Sequence, residues 1–203
     1  MLETHTALIL KIAQSGESFL TLHALSPEAG SFVCLKRISS KAPTKDRPDL
    51  FDTAEIQLET AKSGTARFVR DYRVVQRRET IGSSYRALQH ASDFATLLTK
   101  NATHMPDPAL LFQLAERSFN AFSEAKPPAI IYLKSIYLLL QGEGYPVRES
   151  WWPQVPDQLR ESAKALINQP APEKASVEQI NACELVTQNM HRWLQRETDL
   201  ILA

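Results

Sequence analysis

Cysteine, glycine and methionine are scarce in this 203-residue chain, with two, six and three copies respectively. Cys34 and Cys183 lie far apart, each flanked by apolar residues; a disulfide framework is not expected in the cytosol, and no C-x-x-C pair exists for a zinc ribbon. Both are expected as buried thiols. The six glycines are scattered and form neither G-x-G-x-x-G nor a Walker loop, and no G-x-S-x-G elbow occurs. The five histidines, His5, His23, His90, His104 and His191, lack H-E-x-x-H or H-x-x-E-H spacing, which leaves a metal without local support. His5 and His23 fall on predicted strands that could neighbour each other across a hairpin, but a structural or solvent-facing role is preferred to ligation. Apolar runs are short, nowhere near the roughly 18–20 residues that span a bilayer. Neither sign of charge is in excess, with 23 Lys/Arg against 23 Asp/Glu. Glu3 stands where a secretory leader would carry positive charge, so the expectation is a cytoplasmic protein without membrane contact. No catalytic set, metal or cofactor is expected, and binding is the expected activity rather than chemistry.

What the chain does have is two kinds of pattern. A hydrophobic content of 43% and a charged content of 23% are ordinary for a globular protein. The first eighty residues hold five short alternating runs: Ala7–Ile12, Phe19–Leu25, Phe32–Ile38, Ala54–Glu59 and Ala66–Val75. Gln14-Ser-Gly-Glu17, Ser26-Pro-Glu-Ala-Gly30 and Lys62-Ser-Gly-Thr65 supply hairpin turns between them, since glycine tolerates positive φ and proline presets a corner. In the third run Phe32, Cys34 and Lys36 share one face, and Val33, Leu35 and Arg37 the other. A long polar connection, Ser39 to Asp52, precedes the fourth run, and loops of that length are usually functional or mobile. Glu55 and Glu59 read as a solvated polar face.

From Ser83 the period changes to that of helices. Tyr85, Leu88, Ala91, Ala95 and Leu98 recur at close to 3.6 residues behind a Ser83 or Ser84 cap. Asp107 and Pro108 open a second helix carrying Leu110, Leu111, Leu114, Ala115, Phe119 and Phe122. The third, Ala129–Leu140, is apolar nearly all round, which predicts a central position, and it stops at Gly142-Glu-Gly-Tyr-Pro146. Trp151-Trp152-Pro153 follows, then a short helix over 157–168 and a last one from about Ser176 to about Leu200. The predicted division is a strand domain over 1–80 and a helical domain over 81–203. Charge is uneven across it: residues 1–89 carry 13 Lys/Arg and 10 Asp/Glu, while residues 90–203 carry 10 and 13. A local positive field, centred on Arg67, Arg70, Arg73, Arg77 and Arg78, marks where phosphate contacts would form.

Several of these segments, in this order, resemble the RecO family of bacterial recombination mediators. They are Ala7-Leu-Ile-Leu10, Ser15-Gly-Glu17, Leu20-Thr-Leu22 and Ser26-Pro-Glu-Ala-Gly30, then Pro48-Asp-Leu-Phe51 before the fourth strand, the helix from Tyr85, and the apolar helix ending in Gly144-Tyr-Pro146. The resemblance covers roughly residues 5–150, and the last helix more loosely. It implies an α+β protein, a five-stranded OB-fold β-barrel followed by an all-α helical domain. Many members carry a four-cysteine zinc module after the Gly-Tyr-Pro segment; this chain has none and resembles the zinc-free, shortened version. The family's Gly-Ala-Arg run after the third strand is here Lys36-Arg-Ile-Ser-Ser-Lys41.

The resemblance implies DNA repair by binding, with no bond made or broken. Such a protein binds single- and double-stranded DNA, anneals strands coated by single-strand-binding protein (SSB), and helps RecR load RecA, in the bacterial cytoplasm at the nucleoid. OB-folds hold single strands through a basic groove and stacking aromatics. The candidate DNA-binding residues are Lys36, Arg37, Lys41, Lys45 and Arg47 near the third strand and long loop, and Arg70, Arg73, Arg77 and Arg78 near the fifth. Phe32, Phe68 and Tyr72 are stacking candidates, although alternating aromatics usually point inward, which favours core for Phe32 and Phe68. For the acidic, Phe-ended SSB tail, Trp151, Trp152, Lys134 and Arg148 are the candidate contacts, while Tyr132 and Tyr137 read as core. Zero net charge and the acidic helical half favour the rival expectation, a protein-interaction module of this architecture that has lost strong DNA binding.

Overall fold

A computed structural model describes residues 2–38, 47–61 and 64–202 of the chain. Lys41, Lys45 and the Lys62-Ser63 half of the third turn lie outside the described residues. The arrangement is α+β, a five-stranded sheet followed by helices. The strands are β1 (Leu2–Ser15), β2 (Phe19–Ser26), β3 (Gly30–Arg37), β4 (Thr53–Thr60) and β5 (Arg67–Gln76). Five α-helices follow among the described residues: α1 (Tyr85–Asn101), α2 (Pro108–Ser123), α3 (Pro128–Gly142), α4 (Asp157–Asn168) and α5 (Val177–Glu197). None is long and apolar enough to cross a membrane.

The sheet closes on itself in the order β1-β2-β3-β5-β4, with β4 returning to β1. β1 runs well past the predicted Ala7–Ile12 because it serves two neighbours. Its first half pairs with β4 and its second half with β2, with a register shift between Ile9 and Lys11. All pairings are antiparallel except that of β3 with β5, where Leu35 meets Phe68. Gly16 and Gly30 turn the first two hairpins at φ 63° and 64°, conformations that other residues rarely adopt. Ser26, fully buried, holds the second turn, its hydroxyl accepting from the Glu28 and Ala29 amides. The predicted alternation of β3 holds at its start: Phe32 and Cys34 are buried while Val33 is exposed. They join Ala7, Ile9, Leu22, Ile56 and Tyr72 in the interior of the sheet. Burial pushes the Cys34 thiol up to about 12, so it stays protonated at neutral pH.

The chain divides into two compact units, Met1–Arg78 with Ala102–Gln113, and Glu79–Asn101 with Leu114–Ala203. Segment 102–113 therefore goes with the sheet, although sequence periodicity assigned it to the helices. A Cβ on Gly30 would lie 3.7 Å from the Pro108 side chain, so glycine there leaves ordinary contact distance to the segment.

In the helical unit α3 is buried on nearly every side, with Leu138 and the C-terminal Gln141 and Gly142 exposed. Its stop is a Schellman turn: the Tyr145 amide donates to Leu140 O, the Gly144 amide donates to Gln141 O, and Gly144 takes φ 77°. Ser176 and Gln179 form the reciprocal capping box that starts α5. α5 ends at Glu197, short of the predicted Leu200, because the tail is held extended instead. Buried Asn101 accepts from the Ile201 amide and donates to Ile201 O, and Lys100 donates to Leu202 O.

Candidate functional site

The sheet unit first. Expectation placed Arg77 and Arg78 at a DNA-facing groove; the structure gives both to an internal lock. Asp52 is fully buried and receives a bidentate Arg77, with Nε donating to Oδ1 at 2.9 Å and Nη2 to Oδ2 at 2.7 Å. Tyr72 Oη donates to the same Oδ2 at 3.1 Å and the Asp49 amide at 3.0 Å. Burial and the Asp52 charge together hold the Tyr72 phenol protonated, and the Asp52 hydrogen bond holds Arg77 charged. Arg78, 4% exposed, donates to Phe51 O and Thr53 Oγ1. These bonds fix Phe51 at φ 66°, a strained conformation for a bulky residue, where the Pro48-Asp-Leu-Phe51 element enters β4. Arg47 contributes its carbonyl, which accepts from Arg77 Nη2.

Arg70 and Arg73 do reach the outer surface, but opposite carboxylates. The β4–β5 register sets Glu55 against Arg73, with an ion pair at 2.5 Å, and Arg70 bonds Glu59. The Arg73 hydrogen bond holds the Glu55 carboxyl below its usual range. Glu55 and Glu59, read as a solvated face, are thus counter-ions to the basic strand. Pairs this exposed are screened by solvent, so a phosphate can compete for the arginines.

Of the stacking candidates, Phe32 and Tyr72 are core residues and only Phe68 stays half-buried. Lys36 lies over the Tyr72 ring at 5.4 Å and Arg67 over Phe32 at 5.7 Å, so both cations sit close to the interior's aromatic faces. The surface that combines exposed charge with aromatic area is elsewhere. Phe19 meets Phe68 edge-on at 6.0 Å, and the β2–β3 register puts Phe19 opposite exposed Arg37. Phe19 was not among the expected residues. Only the pairing of β2 with β3, which a single strand pattern cannot give, brings it beside Arg37. His5 and His23 do not meet, since His5 pairs with Ile56 and His23 with Lys11. No group of three His, Cys, Asp or Glu suited to a metal occurs among the described residues.

In the helical unit the four expected partner residues separate. Trp151 is fully buried and donates from Nε1 to Asn189 Oδ1 at 2.9 Å, a core anchor rather than a contact surface. Lys134 is spent on the C-terminus of α4: its ammonium donates to Leu166 O, Ile167 O and Gln169 O, all three donors used. Burial pulls its pKa down. Trp152 and Arg148 do come together. They line a cavity of about 300 Å³ with Tyr137, Val147, Asn168 and Lys164. Trp152 is half-buried, and Arg148 and Lys164 are exposed; neither cation forms an ion pair among the described residues. A cavity of mixed polarity with two aromatic walls and two exposed cations suits an anionic group attached to an apolar or aromatic one. Lys164 had no sequence signal of its own; it enters through α4 folding back beside α3.

No protein-family model matches this chain, and no curated protein matches it.

Proposed function

We propose that the chain is a RecO-like recombination mediator, zinc-free, that works by binding alone. In this reading the sheet unit is an OB-fold that holds single- and double-stranded DNA, and the helical unit docks the acidic C-terminal tail of SSB. Annealing of SSB-coated strands follows from holding both, and RecR recruitment and RecA loading complete the role at the nucleoid. The observation that carries the proposal is the Trp152–Arg148–Lys164 cavity, whose two cations and aromatic wall match an acidic, Phe-ended peptide. The closed strand order with a parallel β3–β5 pairing supports the OB-fold part, since one long β1 serving two partners is how a five-stranded sheet of this kind closes.

The DNA surface in this proposal is Arg37, Phe19 and Phe68 with Lys36 and Arg67 beside them, and Arg70 and Arg73 in reserve behind their carboxylates. Stacking on the half-buried rings and counterion release at the cations would supply the affinity. Fluorescence anisotropy decides the matter with labelled single-stranded DNA at two salt concentrations and with a labelled acidic peptide ending in phenylalanine. DNA affinity weaker than roughly 100 μM at low salt removes the DNA half. Peptide binding unaffected by Arg148→Ala and Lys164→Ala removes the other.

The second reading, an interaction module without strong DNA binding, has its own support in the pairing of Glu55 with Arg73 and Glu59 with Arg70. It predicts peptide binding at the cavity with DNA binding absent.

A further inference from the structure

The helical unit has a second cavity, and its chemistry is the reverse of the first. It encloses about 400 Å³, within the roughly 300–1,000 Å³ of ligand clefts. Its apolar lining comes from Ile130, Ala165, Leu166, Pro170, Pro172 and Ala182. Its charged residues are Glu161 and Glu178, both exposed and neither ion-paired among the described residues. The Ser176 hydroxyl helps hold the Glu178 carboxyl below its usual range, so it is charged at neutral pH. Of the nearby cations, Lys134 has its donors committed to carbonyls at the end of α4, and Lys164, one turn along α4 from Glu161, lines the other cavity and forms no ion pair with Glu161 among the described residues. The start of α5 is satisfied by its own capping box, so an anion is not needed there either.

Helix α4 separates the two cavities. Its Glu161, Ser162, Ala165 and Leu166 face this one, and its Lys164 and Asn168 face the basic one. Glu161, Lys164, Ala165 and Asn168 follow i, i+3, i+4 and i+7 and form one stripe of α4, so the two cavities flank neighbouring sides of that stripe. We propose that the acidic cavity is a second peptide-docking site, taking a segment that places an aliphatic side chain against the proline- and alanine-lined wall and a lysine or arginine against Glu161 and Glu178. The helical unit is then an adaptor with two sites, holding an acidic peptide and a basic one on neighbouring sides of α4. This goes beyond the proposed function and does not depend on it, because the two cavities share no lining residue.

The test uses the full chain, ¹⁵N-labelled, and a capped pentapeptide alternating leucine and lysine. The expected result is saturable shifts at the amides of Ala165, Leu166 and Ala182. The double variant Glu161→Gln, Glu178→Gln should weaken binding about fivefold, the sum of two exposed charge pairs. The matching leucine–glutamate peptide should leave these amides unmoved. Absence of shifts there at millimolar peptide, shifts confined to Trp152 and Lys164, or equal response to both peptides overturns the proposal. Should the double variant fail to fold, salt serves in its place. Wild-type binding must weaken between low and high salt, and salt-insensitive binding also overturns the proposal.

Discussion

The sheet unit and the helical unit both carry cations, and the two sets differ in whether a carboxylate meets them. In the sheet, Arg77 and Arg78 are consumed by Asp52, Phe51 and Thr53, and Arg70 and Arg73 face Glu59 and Glu55. In the helical unit Arg148 and Lys164 stand beside a half-buried tryptophan with no carboxylate paired to them among the described residues. A run of arginines along a strand is therefore not by itself a run of available charge. Counting charge along a strand ignores the strand hydrogen-bonded to it.

The largest effect expected from breaking this contrast is at Asp52. Replacing it with alanine leaves the Arg77 guanidinium without its partner and should cost about 3–5 kcal/mol, read by urea unfolding. A loss below about 1 kcal/mol would mean that the lock is not holding the corner. Next comes the double change Arg148→Ala, Lys164→Ala, which should reduce acidic-peptide affinity about fivefold, the sum of two exposed charge pairs. Stability should be unchanged, because neither side chain is buried.

A third change sharpens the comparison from the other side. Glu55→Gln with Glu59→Gln frees Arg73 and Arg70, and single-stranded DNA affinity should rise a few-fold with a steeper salt slope, by about 0.7 per added phosphate contact. An unchanged slope would place the DNA surface away from β5. The smallest effect is graded. His90 and His191 flank the buried Tyr132 ring, with Tyr132 Oη 3.3 Å from His191 Nε2, and His90 Nδ1 is buried without a partner. Burial lowers both histidine pKa values; Asp93 opposes this at both, Glu184 also opposes it at His90, and Arg86 adds to it there. The unfolded chain then binds more protons than the folded one, so stability should be full above pH 6.5 and fall as pH drops below it. His90→Asn with His191→Asn should flatten that fall in pH-dependent urea unfolding; an equally steep fall would assign it to other groups.

Much of the architecture was legible in the residues. The strand positions, the Asp107 and Ser176 caps, the all-round burial of α3 and the Gly144 stop are local matters of periodicity and capping, and the structure has each of them. The candidate site was less so. The adjacent tryptophans looked alike in sequence, yet Trp151 went to the core and Trp152 to a cavity wall. They sit in a π-helical turn and the 3₁₀ turn after it, and consecutive side chains on a tight turn leave in different directions. Phe51 in positive φ had no signal, because the groups that bond its amide and its carbonyl, Ile9 O and the Arg78 guanidinium, lie far from it in sequence.

The sequence by itself determined what each segment would be, since alternation, helical spacing, glycines and caps act within a few residues. Tertiary structure decided what each charge would do. Register set Glu55 on Arg73, chain return put Arg77 on Asp52, and the placement of α4 separated a basic cavity from an acidic one. The physical reason is range: conformational preference is local, whereas the partner of an ionised side chain is whatever folding brings within a few ångströms of it.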